Sequence, residues 1–236
     1  MNKPRIGVIG GMGPAATILL QQRILDAVPV QSDDGHIPLL VDMNPQVPSR
    51  IEYLLHERGI NPGPVLANMA RNLQQSGVDA IAMPCCTAHH FAADIENSVT
   101  IPFLNMVELT SNRIAQLVPK NSTVGILASP ATEKTGLFRD SLVQHGLTAL
   151  YPENKGSILA GIEAIKQKGE TCQVLETIHS AMNELQTKGV AAFIIGCSEF
   201  SLLSRKLKSG KPVVDAMDVL THSIADLPPN TGQLET

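Results

Sequence analysis

Two apolar runs in this chain each stop at a cysteine that is followed within two residues by a hydroxyl side chain. Val78-Asp79-Ala80-Ile81-Ala82 leads into Met83-Pro84-Cys85-Cys86-Thr87-Ala88-His89, and Ala191-Ala192-Phe193-Ile194-Ile195 leads into Gly196-Cys197-Ser198-Glu199. Short, nearly unbroken apolar runs bounded by Pro or Gly are what strands buried on both faces look like, and such strands belong to parallel sheets covered by helices. In sheets of that kind, ligands bind just beyond the carboxyl ends of the strands. The pattern therefore calls for an α/β fold and gives Cys85 and Cys197 the address of site residues.

The remainder of the chain reads as two copies of one plan. Arg5-Ile6-Gly7-Val8-Ile9 is a first strand, and Gly10-Gly11-Met12-Gly13-Pro14 is a tight loop opening a helix from Ala15 to Val28. The glycines permit the turn, and Pro14 suits the first helical position. Ile37 to Met43 gives a second strand, followed by a Pro-rich loop, Asn44-Pro45-Gln46-Val47-Pro48-Ser49-Arg50. A helix through Val65, Leu66, Met69 and Leu73 precedes the strand that carries Cys85, and Ile101 to Leu104 adds a short strand. The plan restarts at Thr123-Val124-Gly125-Ile126-Leu127-Ala128-Ser129-Pro130, with helices around Lys134 to His145, Ile158 to Lys168 and Gln173 to Lys188 before the strand that carries Cys197. We expect two similar doubly wound, Rossmann-like α/β domains related by a pseudo-two-fold, with the site in the cleft between them. Residues 1–104 form the first and 105–210 the second, while segment 211–227, with a strand at Val213-Val214-Asp215 and a helix from Met217 to Ala225, returns to the first. Residues 228–236 read as a flexible tail.

Composition narrows the partners. The 236 residues carry a formal charge of −4, no Trp and few aromatics, which argues against nucleic acid. No apolar stretch is long enough for a bilayer, and Met1-Asn2-Lys3-Pro4 leads straight into a strand rather than into a signal-peptide core, so a cytoplasmic protein with no membrane partner is expected. The four cysteines form no CxxC and no zinc-type spacing with His, so neither disulfide nor metal is expected. Cys172 lies in a helical stretch with Val174, Ile178, Met182 and Leu185 and reads as a small core residue. His36, His56, His145, His179 and His222 show no ligand spacing. Gly11-Met12-Gly13-Pro14-Ala15-Ala16 fits the loose dinucleotide fingerprint, but the acidic residue that fingerprint needs after the second strand is missing.

Two thiols on either side of one small molecule suit one reaction. A thiolate takes a proton from carbon, and a thiol returns one to the opposite face. Cysteine can serve because its ionisation is tunable toward neutral pH. Taken alone, Cys85 is most simply a buried structural thiol; its match with Cys197 is what turns the reading toward catalysis.

Gly10-Gly11-Met12-Gly13-Pro14-Ala15-Ala16-Thr17, Pro45-Gln46-Val47-Pro48-Ser49-Arg50, Pro84-Cys85-Cys86-Thr87-Ala88-His89, Gly196-Cys197-Ser198-Glu199 and Pro212-Val213-Val214-Asp215 together resemble the aspartate/glutamate racemase superfamily, in its aspartate racemase branch. The resemblance implies an isomerase without pyridoxal phosphate or any other cofactor, commonly a homodimer, acting on a small acidic amino acid. It implies Cys85 and Cys197 as the two catalytic acid/bases, and Met12, Gln46, Arg50 and Thr87 as substrate-binding positions; Cys86 reads either as a further substrate-binding residue of the pocket or as a packing substitution. Lys166 resembles the lysine for the side-chain carboxylate, with Lys168 as the neighbouring alternative. His89, Ser198 and Glu199 are supporting residues, His89 by a hydrogen bond, Glu199 as an orienting group or a helix cap. The family usually carries Asn at the position of Cys86, and Asp and Thr at those of Ser49 and Ile51, and the cell-wall glutamate racemase branch usually carries His where Glu199 stands. Beside an aspartate racemase stand a broad-specificity racemase, a diacid isomerase or decarboxylase on the same fold, and a binding protein without turnover.

Overall fold

A computed structural model describes residues 3–169 and 171–228 of the chain. The tail expected at 228–236 therefore lies, Pro228 excepted, outside the described residues.

In the first half, β1 (Ile6–Gly10) is buried along its whole length and leads through the glycine loop into α1 (Pro14–Ala27). Gly11 has a φ of 92°, and a Cβ there would fall 2.3 Å from the backbone carbonyl carbon of Asn44, so only glycine lets the loop after β1 pass the loop after β2. The half continues with β2 (Leu39–Met43), α2 (Arg50–Leu54), α3 (Gly63–Gln75), β3 (Ala80–Ala82), a 3-10 turn at Cys86–Phe91, α4 (Ala92–Glu96) and β4 (Phe103–Leu104). Then α5 (Met106–Ala115) starts on Asn105, whose side chain accepts from the backbone N–H groups of Val107 and Glu108. The second half contains β5 (Thr123–Leu127), α6 (Pro130–Lys134), α7 (Leu137–Val143), β6 (Thr148–Leu150), α8 (Lys155–Lys168), α9 (Cys172–Thr187), β7 (Ala192–Ile195), α10 (Ser198–Ser201), β8 (Val213–Asp215) and α11 (Ala216–Ala225).

Each half builds a four-stranded parallel sheet in the same order, β2-β1-β3-β4 and β6-β5-β7-β8. Val8 pairs with Val41 and Ala82 in the first, and Gly125 with Leu150 and Phe193 in the second. The strand order reverses between β1 and β3 and between β5 and β7, and the loops leaving those strands are the ones that carry Met12, Cys85, Ser129 and Cys197.

Three apolar layers hold the halves. One outer layer packs Leu66, Met69, Leu73 and Phe91 against Ile81 of the first sheet, and the other packs Ile158, Ile162, Ile178 and Leu185 against Phe193 of the second. The middle layer is shared: Ile6, Leu20 and Ile24 of the first half meet Val124, Ile126, Met217 and Leu220 of the second. Each fully buried side chain of this size contributes roughly 2 kcal/mol. In that layer α5 packs on α7 and α11, and α11 packs on α1. Each sheet's last helix thus crosses to the other half.

Several expectations change. Val213–Asp215 does not return to the first sheet; it pairs with β7, Val214 beside Ile194, because the matching edge of the first sheet is already filled by β4. What reaches back is α11, packed on α1, and the Asp215 side chain at the end of β8, paired with Arg23 of α1. The helix expected from Lys134 to His145 is split at Gly136, whose φ of 72° stops α6 before α7 begins. Cys172 is exposed at the start of α9, not part of the core. Among the described residues no helix is long and apolar enough to cross a membrane.

Candidate active site

The carboxyl ends of the two sheets face each other across a cleft bordered by Met12, Arg50, Cys85, Cys86, Thr87, Ser129, Ile162, Lys166, Cys197, Ser198 and Glu199, together with Ser49 and Ile51. Both cysteines that the sequence paired, and most of the other candidates, meet there. The walls stand close, leaving about 40 Å3 between them, whereas a larger groove of about 660 Å3 between α5 and α11 has no cysteine in its wall. Chemistry rather than size identifies the site.

On the first-half side, Cys85 is buried two residues beyond Met83, where Pro84 has ended the strand. His89 lies beneath it, wholly buried: the backbone N–H of Met106 donates to Nε2 at 3.0 Å, so the proton sits on Nδ1, which donates to the Cys85 carbonyl at 2.9 Å. Burial lowers the imidazole pKa to about 4, so the ring is neutral and braces the Cys85 turn against the start of α5. Cys86 borders the cleft, but its Sγ lies 3.5 Å from Sδ of Met106 within the middle core layer. Burial first, then the charges of Cys85, Asp215 and Glu199, hold its pKa well above the ordinary value. Its side chain offers no amide at the cleft.

Arg50 opens α2, with Ser49 as its cap, so the Pro-rich loop ends one residue earlier than the sequence reading placed it. Its guanidinium reaches only main-chain carbonyls, those of Val47 at 3.2 Å, Pro48 at 3.0 Å and Met12 at 3.4 Å, while its buried Nε has no partner. Among the described residues no carboxylate lies within ion-pair distance of it. Gln46 is exposed and outside the lining, because its backbone N–H closes an Asx turn on Asn44 at 3.0 Å that carries the side chain outward.

Across the cleft, Cys197 caps α10 and its thiol donates to Glu199 Oε2 at 3.2 Å. Burial, then the charge and hydrogen bond of Glu199, push its pKa well above the ordinary thiol value, so Cys197 is a thiol here. Ser198 donates to the same carboxylate oxygen at 3.4 Å, and Lys166 on α8 pairs with the other at 3.3 Å. Lys168 is exposed and does not border the cleft. Thr87 joins the two sides: its hydroxyl lies 3.0 Å from Ser129 Oγ and 2.8 Å from Thr132 Oγ1, at the cap of α6.

Ser129 and Ile162 were not picked out from the sequence. The signal for Ser129 was its place in the loop that repeats the one after β1; Ile162 sits in an ordinary helical apolar stripe and gave none.

A family model described as Asp/Glu/hydantoin racemase matches residues 9–224. The structure is similar to aspartate racemase of Picrophilus torridus, with 26% identity and a TM-score of 0.82 over 94% of this chain and 92% of that one. It shares its fold with glutamate racemase of Francisella tularensis subsp. tularensis, solved in complex with D-glutamate, at 18% identity and a TM-score of 0.66 over 95% and 80% of the two chains. In sequence the chain is 24% identical to the broad specificity amino-acid racemase RacX of Bacillus subtilis, over 92% of this chain and 95% of that one. With a match that runs from β1 to α11 and a fold of two facing parallel sheets, the chain belongs to the Asp/Glu/hydantoin racemase family of isomerases.

Proposed function

We propose that this protein is a cofactor-independent amino-acid racemase, with aspartate as its substrate, in which Cys85 and Cys197 exchange the α-proton on opposite faces of the carbon. The reading rests on one observation: both thiols border the same cleft as Arg50, a guanidinium that faces no carboxylate among the described residues. An uncompensated, half-buried cation calls for an anion, and the forked guanidinium suits a carboxylate. The substrate α-carboxylate binds there. Lys166 takes the side-chain carboxylate by leaving Glu199, and Met12 and Thr87 bound the remaining space.

Cys85, as thiolate, removes the α-proton. Cys197, held as a thiol by burial and by Glu199, delivers its own proton to the other face. One proton leaves, one arrives, and the configuration inverts; the opposite enantiomer runs through the same steps reversed. A homodimer in the cytoplasm belongs to this reading.

A second reading, a racemase of broad specificity, is favoured by the apolar part of the lining. Ile51 and Ile162 line the cleft together with Lys166, and the Cys86 side chain supplies no amide.

The deciding experiment follows α-proton exchange and inversion in deuterated water by NMR, with both enantiomers of aspartate, glutamate, alanine and leucine. The wild type is expected to exchange and invert both aspartate enantiomers, and Cys85→Ala and Cys197→Ala each to lose inversion by about 1000-fold or more. Turnover of alanine or leucine as well selects the broad reading. No exchange with any of the panel overturns both.

A further inference from the structure

Arg23 belongs to α1, in the first half, yet its guanidinium ends inside the second, and its side chain is only 3% exposed. Nη1 donates to Asp215 Oδ2 at 2.7 Å and to Asp218 Oδ1 at 2.8 Å; Nη2 donates to the Ser201 carbonyl at 2.5 Å and to Ser204 Oγ at 3.0 Å. Asp215, whose side chain is 4% exposed, uses its other oxygen to accept from Ser201 Oγ at 2.6 Å and from the backbone N–H of Met217 at 3.0 Å. Ser201 in turn donates its backbone N–H to the carbonyl of Cys197 at 3.1 Å. The chain of contacts runs from the first helix of one half to the second cysteine, and neither Arg23, Asp215 nor Ser201 touches the cleft.

We propose that Arg23 is a positioning residue that fixes Cys197 relative to Cys85 across the two halves. The inference rests on the two-cysteine reading above. Cys197 caps α10, a helix of four residues that cannot hold its own place, since a helix so short gains too little from its own hydrogen bonds. Its carboxyl end is gripped instead by Arg23, once directly at the Ser201 carbonyl and once through Asp215. Arg23 is anchored on α1, the helix that follows the Met12 loop, so the grip refers Cys197 to the first half of the molecule. A planar fork that serves four acceptors at once holds an orientation that an ammonium or an apolar contact does not. Apolar residues of similar volume would match a buried ion pair in stability, which leaves register as the reason for this one.

The test separates register from stability. Arg23→Met combined with Asp215→Asn removes both buried charges together, so the one carboxylate left without Arg23 is that of Asp218, whose side chain is 43% exposed. Arg23→Lys keeps the charge and loses the fork, and serves if the double variant does not fold. For each protein, checked as folded by circular dichroism and thermal melting, solvent deuterium incorporation and inversion are measured separately from L- and D-aspartate. If Arg23 sets the register of Cys197, inversion falls at least 10-fold while incorporation persists within about 3-fold for one enantiomer only, the one whose proton Cys85 removes and restores on the same face. Equal losses for both enantiomers, in proportion to the folded fraction, would show a structural role alone and overturn the proposal, as would unchanged inversion. Absence of any exchange by the wild type would strike the racemase reading itself, a result distinct from a symmetric loss in the variants.

Discussion

The two walls of the cleft stand on the same strand order yet carry their charge in different ways. The first-half wall has a guanidinium with no carboxylate partner among the described residues and, beneath its cysteine, a neutral imidazole. The second-half wall has its charges paired: Lys166 meets Glu199, Glu199 accepts from Cys197, and underneath Asp215 meets Arg23, which reaches over from the first half. A pseudo-two-fold scaffold thus presents unlike faces. On the proposed reading the two walls divide the substrate between them, Arg50 taking the α-carboxylate and Lys166, once released from Glu199, the side-chain carboxylate.

The contrast between a neutral and a charged brace can be broken at His89. Its pKa of about 4 lies below the ordinary 6.5, so the folded state binds fewer protons than the unfolded one between these values. Stability on this account is present above pH 6.5 and is lost as the pH falls toward 4, by about 3 kcal/mol. Urea unfolding from pH 7 to pH 4 is expected to show that slope in the wild type and to lose it in His89→Gln; a slope that survives the substitution would place the acid sensitivity elsewhere. The lone cation is tested next by Arg50→Ala, which is expected to weaken substrate binding by about 2 kcal/mol, some 30-fold in KM, by removing a charge-assisted hydrogen-bond donor. An effect confined to kcat would contradict the anchoring role.

On the second wall, Glu199→Gln removes the charge that helps keep Cys197 protonated. The Cys197 pKa should fall, and alkylation by iodoacetamide at pH 8 should speed up several-fold, about 1 kcal/mol, at Cys197 and not at Cys85. Equal changes at both cysteines would erase the distinction between the walls. The smallest effect is expected from Cys86→Ala, at under about 1 kcal/mol in stability with KM within 2-fold, because its sulfur is spent on Met106. A large rise in KM would mean that Cys86 does act on the substrate.

Much of this arrangement could be read in the amino-acid order. Buried parallel strands are almost continuous apolar runs, so β3 and β7 and the cysteines after them were visible. Elements whose meaning depends on distant neighbours were not. Val213–Asp215 has three residues and nothing in them that names a partner strand. The periodicity of α5 is blurred because Thr110 and Ser111 are among its buried residues, although Asn105 with Glu108 three residues on is a start signal. Gln46 followed the family pattern into the site on paper, and an Asx turn takes its side chain out of it. The Arg23 network joins residues far apart in the chain: Arg23 alone reads as an ordinary helix-surface group, and Asp215 as the end of a strand motif with nothing to name its partner.

The crossing of α5 and α11 between the halves also bears on how the chain is made. The apolar face of α1, with Leu20 and Ile24, is covered by α11, whose Met217 and Leu220 leave the ribosome long after α1 does. Until then the nascent first half has a complete sheet and an open flank, a surface that invites aggregation or a chaperone. Closing it joins contacts far apart in sequence, the kind of topology that folds slowly, so the two look-alike halves mature together.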